Sequence, residues 1–471
     1  MKTRNLTIRG LHEGLKKKEF SAVELAKETL NNAKEQDNKI SSFLRFSEDL
    51  AVKQAEAADH LIATENEICW LTGIPFGIKD VIVTKDVPTT AASKILENFI
   101  PPYSAKVYES LTSVKGVMIG KNNCDEFAMG GSTENSAYQI TKNPYDAERV
   151  PGGTSGGSAA AVGAGLVPYS LGTDTGGSVR QPASFCNVVG LKPTYGRVSR
   201  YGIIPMGNSL DQAGPVTTTV EDAALVLNII AGYDPRDATS VKKELPDYSK
   251  AVGKDIKGLK FGVPKEYLAE GIDPKVKEVF LSDCKVIENL GGELVDISLP
   301  RSEQAVPVYY LVMSSEVSTN LARYDGVRFG KSRDHFGAEA KRRIMLGTYS
   351  LSSGYYDAYY LKAAKVRRLI FEDFQEAFKK VDFIIGPTSP ILPFKIGEKI
   401  DDPLQMYLCD IFTVPQNLAG VPAISIPGGF VGDLPVGLQI TTNHFEEEKL
   451  ISAAFAFEQE TNFYKKRPEG F

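Results

Sequence analysis

Short apolar runs that alternate with helical stretches are the feature of this sequence that restricts its fold most strongly. From Gly73 onward each run is bounded by Gly, Pro or Asn, as buried strands usually are. Before one of the later runs, apolar residues from Tyr359 to Phe378 recur at steps of three and four, with Lys, Arg and Glu on the other face. Strands that alternate with helices predict an α/β fold in which helices surround a mixed central sheet. The predicted strands lie at residues 76–78, 117–119, 260–263, 294–297, 383–385, 423–426 and 436–440.

The N-terminal part of the chain lacks such runs and is predicted to be helical. Ser21 and Glu24 form a capping box, in which each side chain satisfies a free backbone donor at a helix start. A second helix, charged and rich in Ala, is predicted over residues 47–63. No long polar linker follows. We therefore expect residues 1–64 to be a helical segment packed on a larger domain of residues 65–471, within one structural domain.

Composition and charge exclude several classes of protein. Hydrophobic residues make up 42% and charged residues 24% of the chain, which fits a globular protein with a buried core. The formal net charge is 54 − 59 = −5, so the chain is not expected to capture nucleic acid through its own field. No window approaches a membrane-spanning length of apolar residues, and no hydrophobic leader follows Met1. We therefore expect a cytoplasmic protein without a membrane span.

The cysteines and histidines give little support to a disulfide framework or a metal site. The five cysteines are scattered and lack a C-x-x-C spacing, which is typical of reduced thiols. None of the four histidines belongs to a metal-binding pattern, so metal catalysis is not expected. A Ser-His-Asp triad has no motif to support it either, and a different base is predicted for any hydrolytic chemistry.

Two segments rich in glycine and hydroxyl residues, 151–158 and 172–182, bracket a short Ala-rich helix. One alternative is a pair of flexible turns, but the segments are embedded between Ala and Val residues. A phosphate-binding loop is disfavoured because no Lys follows the glycines. We interpret the segments as an active site, because glycines let backbone amides turn toward a substrate. The amides of Thr175, Gly176 and Gly177 would then stabilise an oxyanion.

A nucleophile and a base complete this predicted site. Ser178 follows the three amides directly, and its hydroxyl must lose a proton as it attacks. With no histidine nearby, the candidate base is Lys79, which ends the apolar stretch 74–78. A free lysine has a pKa near 10.4, and burial lowers such a pKa by up to about 3–5 units. A desolvated Lys79 would therefore serve.

The motifs P-G-G-T-S-G-G-S at 151–158 and G-T-D-T-G-G-S-V-R-Q-P at 172–182 resemble the amidase signature family. The resemblance covers essentially the whole chain. It implies hydrolysis of an amide bond by a Ser–cis-Ser–Lys triad, in an α/β fold whose mixed sheet is mostly parallel and covered by helices on both faces. Carried over by position, Ser178 is the nucleophile, Lys79 is the base, and Thr154 bears the bridging hydroxyl after a cis peptide bond.

The bridging position departs from the family pattern, because serine is usual there. Threonine keeps the hydroxyl of Thr154 but adds a methyl group and restricts χ1. We expect a working relay, with Ser155 as the alternative source of the bridging hydroxyl.

Further blocks resemble one class within this family, the glutamine-hydrolysing subunits of tRNA-dependent amidotransferases. The α-carboxylate of glutamine calls for an Arg and its α-ammonium for a carboxylate. The resemblance assigns these roles to Arg343 and Asp410, with Tyr309 lining the pocket and Arg342 as the alternative to Arg343. The blocks are residues 125–130, 190–196, 209–212, 354–360 and 417–420.

The same class implies partners. In it, ammonia passes to a B subunit that engages tRNA and uses ATP and Mg²⁺, while a small C subunit completes a heterotrimer. This chain itself is expected to bind no cofactor and no metal. Two alternatives stay open. A stand-alone amidase of small amides would need neither partners nor the pair Arg343 and Asp410, and a non-catalytic scaffold protein would have lost its relay at Thr154.

Overall fold

One sheet of eleven strands runs through the residues that the computed structural model describes, which are 7–269, 271–399 and 402–471. Across the sheet the strand order is β1-β3-β2-β4-β6-β5-β10-β11-β9-β7-β8. All seven apolar runs that were predicted as strands fall within the sheet, which confirms the α/β prediction. In chain order the strands are β1 (Phe43–Phe46), β2 (Pro75–Lys79), β3 (Val117–Asn122), β4 (Tyr169–Asp174), β5 (Val189–Lys192), β6 (Gln212–Thr217), β7 (Lys260–Pro264), β8 (Glu293–Ile297), β9 (Phe383–Pro387), β10 (Ala423–Val431) and β11 (Leu434–Thr441).

The sheet is mixed, and its parallel strands are confined to two blocks. In one block β2 runs parallel to β3 and β4, and in the other β7 runs parallel to β8 and β9. The other neighbouring pairs among the described strands are antiparallel. Parallel pairing is therefore less general than the family resemblance implied. Antiparallel neighbours need only a short link, and the tight turn at Gly432 supplies one between β10 and β11.

Helices pack around this sheet. The predicted helical pattern between Tyr359 and Phe378 corresponds to α11, which a single π-helical segment, Tyr356–Leu361, precedes. The α-helices of the described residues are α1 (Ile8–Lys16), α2 (Ala22–Gln36), α3 (Glu48–Thr64), α4 (Lys106–Ser113), α5 (Gly156–Gly163), α6 (Arg180–Phe185), α7 (Val220–Ile230), α8 (Pro274–Asn289), α9 (Ser302–Leu321), α10 (Ala338–Ser350), α11 (Lys362–Ala377), α12 (Pro403–Leu408), α13 (Val414–Ala419) and α14 (Glu447–Thr461). None of the helices in this described part combines the length and the apolar character that crossing a bilayer requires.

The N-terminal segment contains the predicted helices and one strand that was not predicted. At the start of α2, the Ser21 hydroxyl accepts the Glu24 amide at 3.0 Å, and the Glu24 carboxylate accepts the Ser21 amide at 2.8 Å, which confirms the capping box. Between α2 and α3 lies β1, which pairs antiparallel with β3 at the edge of the sheet. Its four residues, Phe-Leu-Arg-Phe, are too few to show the alternation by which a strand is recognised.

The parallel pairing of β2 and β4 brings the two glycine-rich segments to one edge of the sheet. Lys79 ends β2 and Asp174 ends β4, and the carboxyl ends of parallel neighbours point the same way. Helix α5 begins within the first glycine-rich segment, at Gly156, and all of its residues are buried. Its Gly and Ala side chains are small, which lets the helix pack closely against the strands.

Candidate active site

Lys79 occupies the end of β2, where its side chain is fully buried, with 0% exposed. Its Nζ lies 2.6 Å from Oγ1 of Thr154. The hydroxyls of Ser155 and Thr173 each lie 2.9 Å from the same nitrogen. Three hydroxyls can accept the three protons of an ammonium, and one of them can instead donate to the lone pair of a neutral amine. The site therefore tolerates both protonation states of the lysine.

Burial adjusts this lysine toward the role of a base. It lowers the pKa of Lys79 to about 8, although Cys124 and Asp125 nearby favour the charged form. At pH 7 about one amine in ten is then neutral, against roughly one in several thousand for a free lysine. A neutral amine can accept a proton, so the environment supplies what general base catalysis requires.

The hydroxyls of Thr154 and Ser155 differ in how their protons are used. Ser155 Oγ donates to the backbone oxygen of Thr173 at 3.1 Å and accepts the amide of Thr173 at 3.2 Å. It also accepts from Lys79, so its hydrogen-bonding capacity is filled. Among the described residues Thr154 Oγ1 makes a hydrogen bond only with Lys79, as its acceptor, which leaves the Thr154 proton free to be transferred. This arrangement favours Thr154 over Ser155 as the bridging hydroxyl.

The peptide bond between Gly153 and Thr154 is cis, as the family resemblance implied. The Gly153 amide donates to Oε1 of Gln181 at 2.9 Å, which joins the first glycine-rich segment to the second. A Cβ atom on Gly153 would lie 2.4 Å from Oδ2 of Asp125. The close approach of this carboxylate therefore requires glycine at position 153.

Ser178 is the most exposed member of the predicted triad. It is 8% exposed, whereas Thr154 is 1% and Lys79 is 0% exposed. Its backbone oxygen accepts the amide of Ser155 at 3.1 Å, which fixes the distance between the two segments. Its Oγ makes no hydrogen bond to the part of the chain that the structure describes, Thr154 included. The predicted nucleophile is therefore more accessible to a substrate than Thr154 or Lys79.

The amides before Ser178 were predicted to form the oxyanion site, and one of them is already occupied. The Gly177 amide donates to Oδ1 of Asp174 at 2.9 Å, so it is not available in this conformation. Within the described ranges, the amides of Thr175, Gly176 and Ser178 have no acceptor. These three donors are free in this conformation, whereas the predicted donor Gly177 is bonded to Asp174.

A buried ion pair between Asp174 and Arg180 supports this oxyanion segment. Arg180 donates to Asp174 through Nε at 2.9 Å and through Nη2 at 3.1 Å, and both side chains are fully buried. Burial alone would raise the pKa of Asp174, but Arg180 outweighs that effect and lowers it to about 2. Asn417 in α13 adds a bond to each partner, at 2.9 Å to Asp174 and 2.6 Å to Arg180. The carboxylate that binds the Gly177 amide is therefore held firmly.

Arg343 on α10 is buried, whereas the neighbouring Arg342 is not. The side chain of Arg343 is 2% exposed and that of Arg342 is 45% exposed. Arg343 Nε donates to Oε1 of Glu339 at 2.7 Å, and its guanidinium lies 5.2 Å from the ring centroid of Tyr310. Its Nη2 is buried without a partner in the described structure. Burial and this free donor favour Arg343 over Arg342 as the group that binds a carboxylate.

Asp410 carries a carboxyl group, which has the opposite charge when it is ionised. Its Oδ1 is buried without a partner among the described residues, and burial raises its pKa well above the usual value. Both Asp410 and Arg343 influence the pKa of Tyr309, which places the three groups in one electrostatic neighbourhood. Tyr309 also lies against the oxyanion segment, because a Cβ on Gly176 would approach its Cζ to 2.8 Å. The predicted substrate-binding residues are thus brought beside the predicted catalytic segment.

The sequence model of the amidase family matches residues 24–451, which is most of the chain. The chain belongs to the amidase family. The resemblance that the two glycine-rich motifs indicated is therefore confirmed.

Similar proteins in this family carry a narrower description. The chain is 55% identical over 477 residues to the A subunit of glutamyl-tRNA(Gln) amidotransferase from Geobacillus kaustophilus, with 98% of each chain covered. It is 54% identical over 481 residues to the protein of the same description from Thermoanaerobacter pseudethanolicus, with 99% and 98% covered. The crystal structure of the A subunit of glutamyl-tRNA(Gln) amidotransferase from Thermotoga maritima superposes with a TM-score of 0.84 at 44% identity, covering 97% of this chain and 95% of that one.

Several polar groups of this amidase site were not identified from the sequence. Thr173 lies inside the second glycine-rich motif, but nothing in the motif distinguishes it as a ligand of Lys79. Glu339 precedes Arg343 by four residues on a helix, and that spacing could have indicated an ion pair. Tyr310 and Tyr407 stack at 3.7 Å beside Arg343, and they come from segments far apart in the chain. Such long-range pairs carry no local sequence signal.

The described residues hold no cluster of three or more His, Cys, Asp or Glu side chains that could bind a metal ion. All five cysteines are free thiols. The candidate site is therefore built from hydroxyls, backbone amides, one lysine and two opposite charges.

Proposed function

We propose that this chain is the glutamine-hydrolysing subunit of a glutamyl-tRNA(Gln) amidotransferase. The observation that carries the proposal is the pair of buried, unsatisfied atoms of opposite charge, Nη2 of Arg343 and Oδ1 of Asp410. An α-amino acid carries one carboxylate and one ammonium on the same carbon, and it would satisfy both atoms at once. The relatives described as the A subunit of this amidotransferase, at 53–55% identity, support the same substrate.

Glutamine bound in this way directs its side chain toward the oxyanion segment. Its α-carboxylate meets Arg343 and its α-ammonium meets Asp410, so the side-chain amide is the remaining reactive group. Tyr309, which lies against Gly176, bounds the pocket between the two charges and the amides. An unpaired buried charge costs several kcal/mol, so a substrate that lacks either charge would bind more weakly.

In the proposed reaction the side-chain carbonyl of glutamine is attacked by Oγ of Ser178. The serine proton passes to Oγ1 of Thr154, whose own proton passes to the neutral Nζ of Lys79. The amides of Thr175, Gly176 and Ser178 bind the oxyanion of the tetrahedral intermediate. When it collapses, the proton returns through Thr154 to the leaving nitrogen, and ammonia departs. Water then hydrolyses the glutamyl ester, which releases glutamate and restores the serine.

The ammonia is used elsewhere in the proposed assembly. We place this chain in a cytoplasmic heterotrimer, in which the B subunit binds tRNA, ATP and Mg²⁺ and converts Glu-tRNA(Gln) to Gln-tRNA(Gln), and the C subunit completes the complex. This chain binds no cofactor of its own in this proposal. The description of its relatives as one component of an amidotransferase supports the assembly. The net charge of −5 is consistent with leaving tRNA to a partner.

The test uses glutamine labelled with ¹⁵N at the side-chain amide. This chain is combined with co-expressed B and C subunits, ATP, Mg²⁺ and Glu-tRNA(Gln). We expect label in Gln on the tRNA, and its loss when Ser178→Ala replaces the wild type. Label found only as free ammonia would contradict the coupled assembly and indicate a stand-alone amidase. Unlabelled products in every sample would overturn the glutaminase function itself.

A further inference from the structure

The hydroxyl of Thr413 contacts the oxyanion segment, and Thr413 itself lies three residues after Asp410. It donates to the backbone oxygen of Gly176 at 2.7 Å, and it is fully buried, with 0% exposed. Thr413 directly precedes α13 and lies outside both glycine-rich motifs. No role for it follows from the relay or from the binding of the two substrate charges.

This contact fixes the direction of one peptide group. A peptide unit is planar, so the carbonyl of Gly176 and the amide of Gly177 point in opposite directions across it. Thr413 holds the carbonyl, and Asp174 holds the amide at 2.9 Å. With both ends bonded, rotation of the peptide is restrained. The amides on either side of it, those of Gly176 and Ser178, keep the direction that an oxyanion requires.

The side chain of Thr413 also fills the space next to Gly177. Gly177 has φ +131°, which L side chains rarely adopt, and a Cβ there would lie 2.2 Å from Oγ1 of Thr413. The Thr413 side chain therefore packs directly on the glycine as well as bonding its neighbour. A hydrogen bond and a packing contact act together on one turn of backbone.

Thr413 is also joined to the residue that is proposed to bind the substrate ammonium. Its amide donates to the backbone oxygen of Asp410 at 3.0 Å, and its hydroxyl lies 3.1 Å from the same oxygen. Its own carbonyl accepts Nη2 of Arg180 at 3.0 Å. One turn of chain, 410–413, thus carries the ammonium-binding carboxylate at one end and the support of the oxyanion segment at the other.

We infer that Thr413 is a positioning residue that couples occupation of Asp410 by an ammonium group to the orientation of the Gly176–Gly177 peptide. The inference rests on the proposed function. When a substrate ammonium pairs with Asp410, it holds the 410–413 turn, and Thr413 transmits that constraint to the amides that bind the oxyanion. The device makes turnover, and not only binding, depend on the α-ammonium of the substrate.

The first test separates positioning from binding. Thr413→Val keeps the shape of the side chain and removes its hydroxyl, and it is assayed in the complete complex with glutamine. We expect kcat to fall by about 10–100-fold, since misdirected oxyanion donors weaken transition-state binding, while KM changes by less than about threefold. Thr413→Ser, which restores the hydroxyl, is expected to recover most of kcat. An unchanged kcat in Thr413→Val would overturn the inference.

A matched control accounts for the loss of a buried hydroxyl. Thr72 is also buried, and its Oγ1 also donates to a backbone oxygen, that of Val114, at 3.0 Å. Thr72→Val should lower the unfolding temperature about as much as Thr413→Val and leave kcat unchanged. If both variants lose kcat in proportion to their loss of stability, Thr413 has only a structural role, and the inference is wrong.

The second test addresses the coupling. A glutamine analogue without the α-amino group, the monoamide of glutaric acid, leaves Asp410 unoccupied. In the wild type we expect kcat for glutamine to exceed kcat for this analogue, and in Thr413→Val we expect the ratio to shrink toward one. An unchanged ratio would contradict the coupling. A wild type that hydrolyses the analogue but not glutamine would refute the proposed function and the coupling together, whereas loss of kcat on the analogue in Thr413→Val would still support the positioning of the peptide.

Discussion

The candidate site has a relay region around Lys79 and a substrate-binding region around Arg343 and Asp410. Both are buried, but they differ in whether their ionisable side chains have hydrogen-bond partners for every polar atom. Around Lys79, the hydroxyls of Thr154, Ser155 and Thr173 satisfy the amine at 2.6–2.9 Å. Around the two predicted substrate ligands, Nη2 of Arg343 and Oδ1 of Asp410 are buried without a partner in the described part of the chain. The fold has therefore paired the amine of Lys79 in one region and left Nη2 of Arg343 and Oδ1 of Asp410 without partners in the other.

This difference indicates that the fold itself positions the catalytic base, whereas the substrate supplies the missing partners of Arg343 and Asp410. A catalytic group works best when it is already in place, because reorganisation during the reaction adds to the barrier. Arg343 keeps its ion pair with Glu339, but its Nη2 and Oδ1 of Asp410 are buried without partners, and a ligand that bonds to these two atoms recovers the cost of burying them. The amine of Lys79 is thus held in place before substrate binds. The unpaired atoms of Arg343 and Asp410 gain partners when a molecule with two opposite charges binds.

The largest effect is expected from removing the predicted nucleophile, Ser178. Ser178→Ala deletes the attacking oxygen, so ammonia release from glutamine should fall by a factor on the order of 10⁴ or more. The rate is measured in the complete complex by coupled detection of ammonia. Ser110→Ala is the matched control, because Ser110 is also 8% exposed and lies in α4, and its turnover should equal that of the wild type. A Ser178→Ala variant with substantial turnover would refute the nucleophile assignment.

Removing the predicted base, Lys79, should have the next largest effect. Lys79→Met keeps the length of the side chain and deletes the base, so kcat should fall by about 10³-fold. Lys121→Met serves as the control, since Lys121 is fully buried too, has its pKa lowered to about 8 mainly by burial, and does not contact Thr154. Both variants are expected to lose stability, but only Lys79→Met should lose turnover at every pH. Equal losses in the two variants would contradict a specific role for Lys79.

The substrate-binding region should respond in KM, and at Asp410 also in kcat, because Thr413 is inferred to couple Asp410 to the oxyanion segment. Arg343→Lys removes the planar guanidinium that binds a carboxylate through two N–H groups, and Asp410→Asn leaves the substrate ammonium unpaired, so KM for glutamine should rise by about 100-fold, equivalent to about 2.7 kcal/mol. The comparison is with Arg342→Lys, whose side chain is 45% exposed, and whose KM should stay within about twofold of the wild type. A rise in KM for Arg342→Lys and none for Arg343→Lys would reverse the assignment.

A smaller effect is expected from pH. The active form of Lys79 is the neutral amine, and burial lowers its pKa to about 8. Lowering pH protonates the amine, so kcat/KM should fall about tenfold for each unit below that value and level off above it. Asp410 acts in the same direction, because its pKa is raised by burial and only the carboxylate binds an ammonium. A profile that is flat between pH 6 and 8 would show that no buried lysine serves as the base.

The smallest effect is expected at the position where this chain departs from the family pattern. Thr154→Ser keeps the hydroxyl and removes only a methyl group, so kcat should change by less than about threefold. Thr154→Val, which removes the hydroxyl, should lose about as much as Lys79→Met. A large gain in Thr154→Ser would instead favour the scaffold alternative, in which the relay had decayed.

Local sequence signals identified most of the fold and the inner part of the site. The apolar runs located seven strands, and the capping box located the start of α2, because each depends on residues close together in the chain. Edge strand β1 was missed because four residues cannot show a period. The extent of antiparallel pairing was missed because strand order depends on contacts between distant segments.

Within the site, the residues that a motif contains were easier to identify than those that complete it. Thr154 and Ser178 come from the two glycine-rich motifs and Lys79 from the end of an apolar stretch, and the structure brings Lys79 and Thr154 into hydrogen-bonding contact. The occupied amide of Gly177 could not be predicted, since it depends on the direction of the Asp174 side chain. Thr413 could not be predicted either, because it reaches Gly176 from 237 positions away.

The most direct test of the account is to trap the covalent intermediate. The complete complex is mixed with glutamine, quenched at millisecond times, digested and analysed by mass spectrometry. The account predicts a glutamyl ester on Ser178 in the wild type, much less of it in Lys79→Met, and little at the same glutamine concentration in Asp410→Asn. Release of ammonia with the adduct on another residue, or with no adduct at Ser178 at any time, would contradict it.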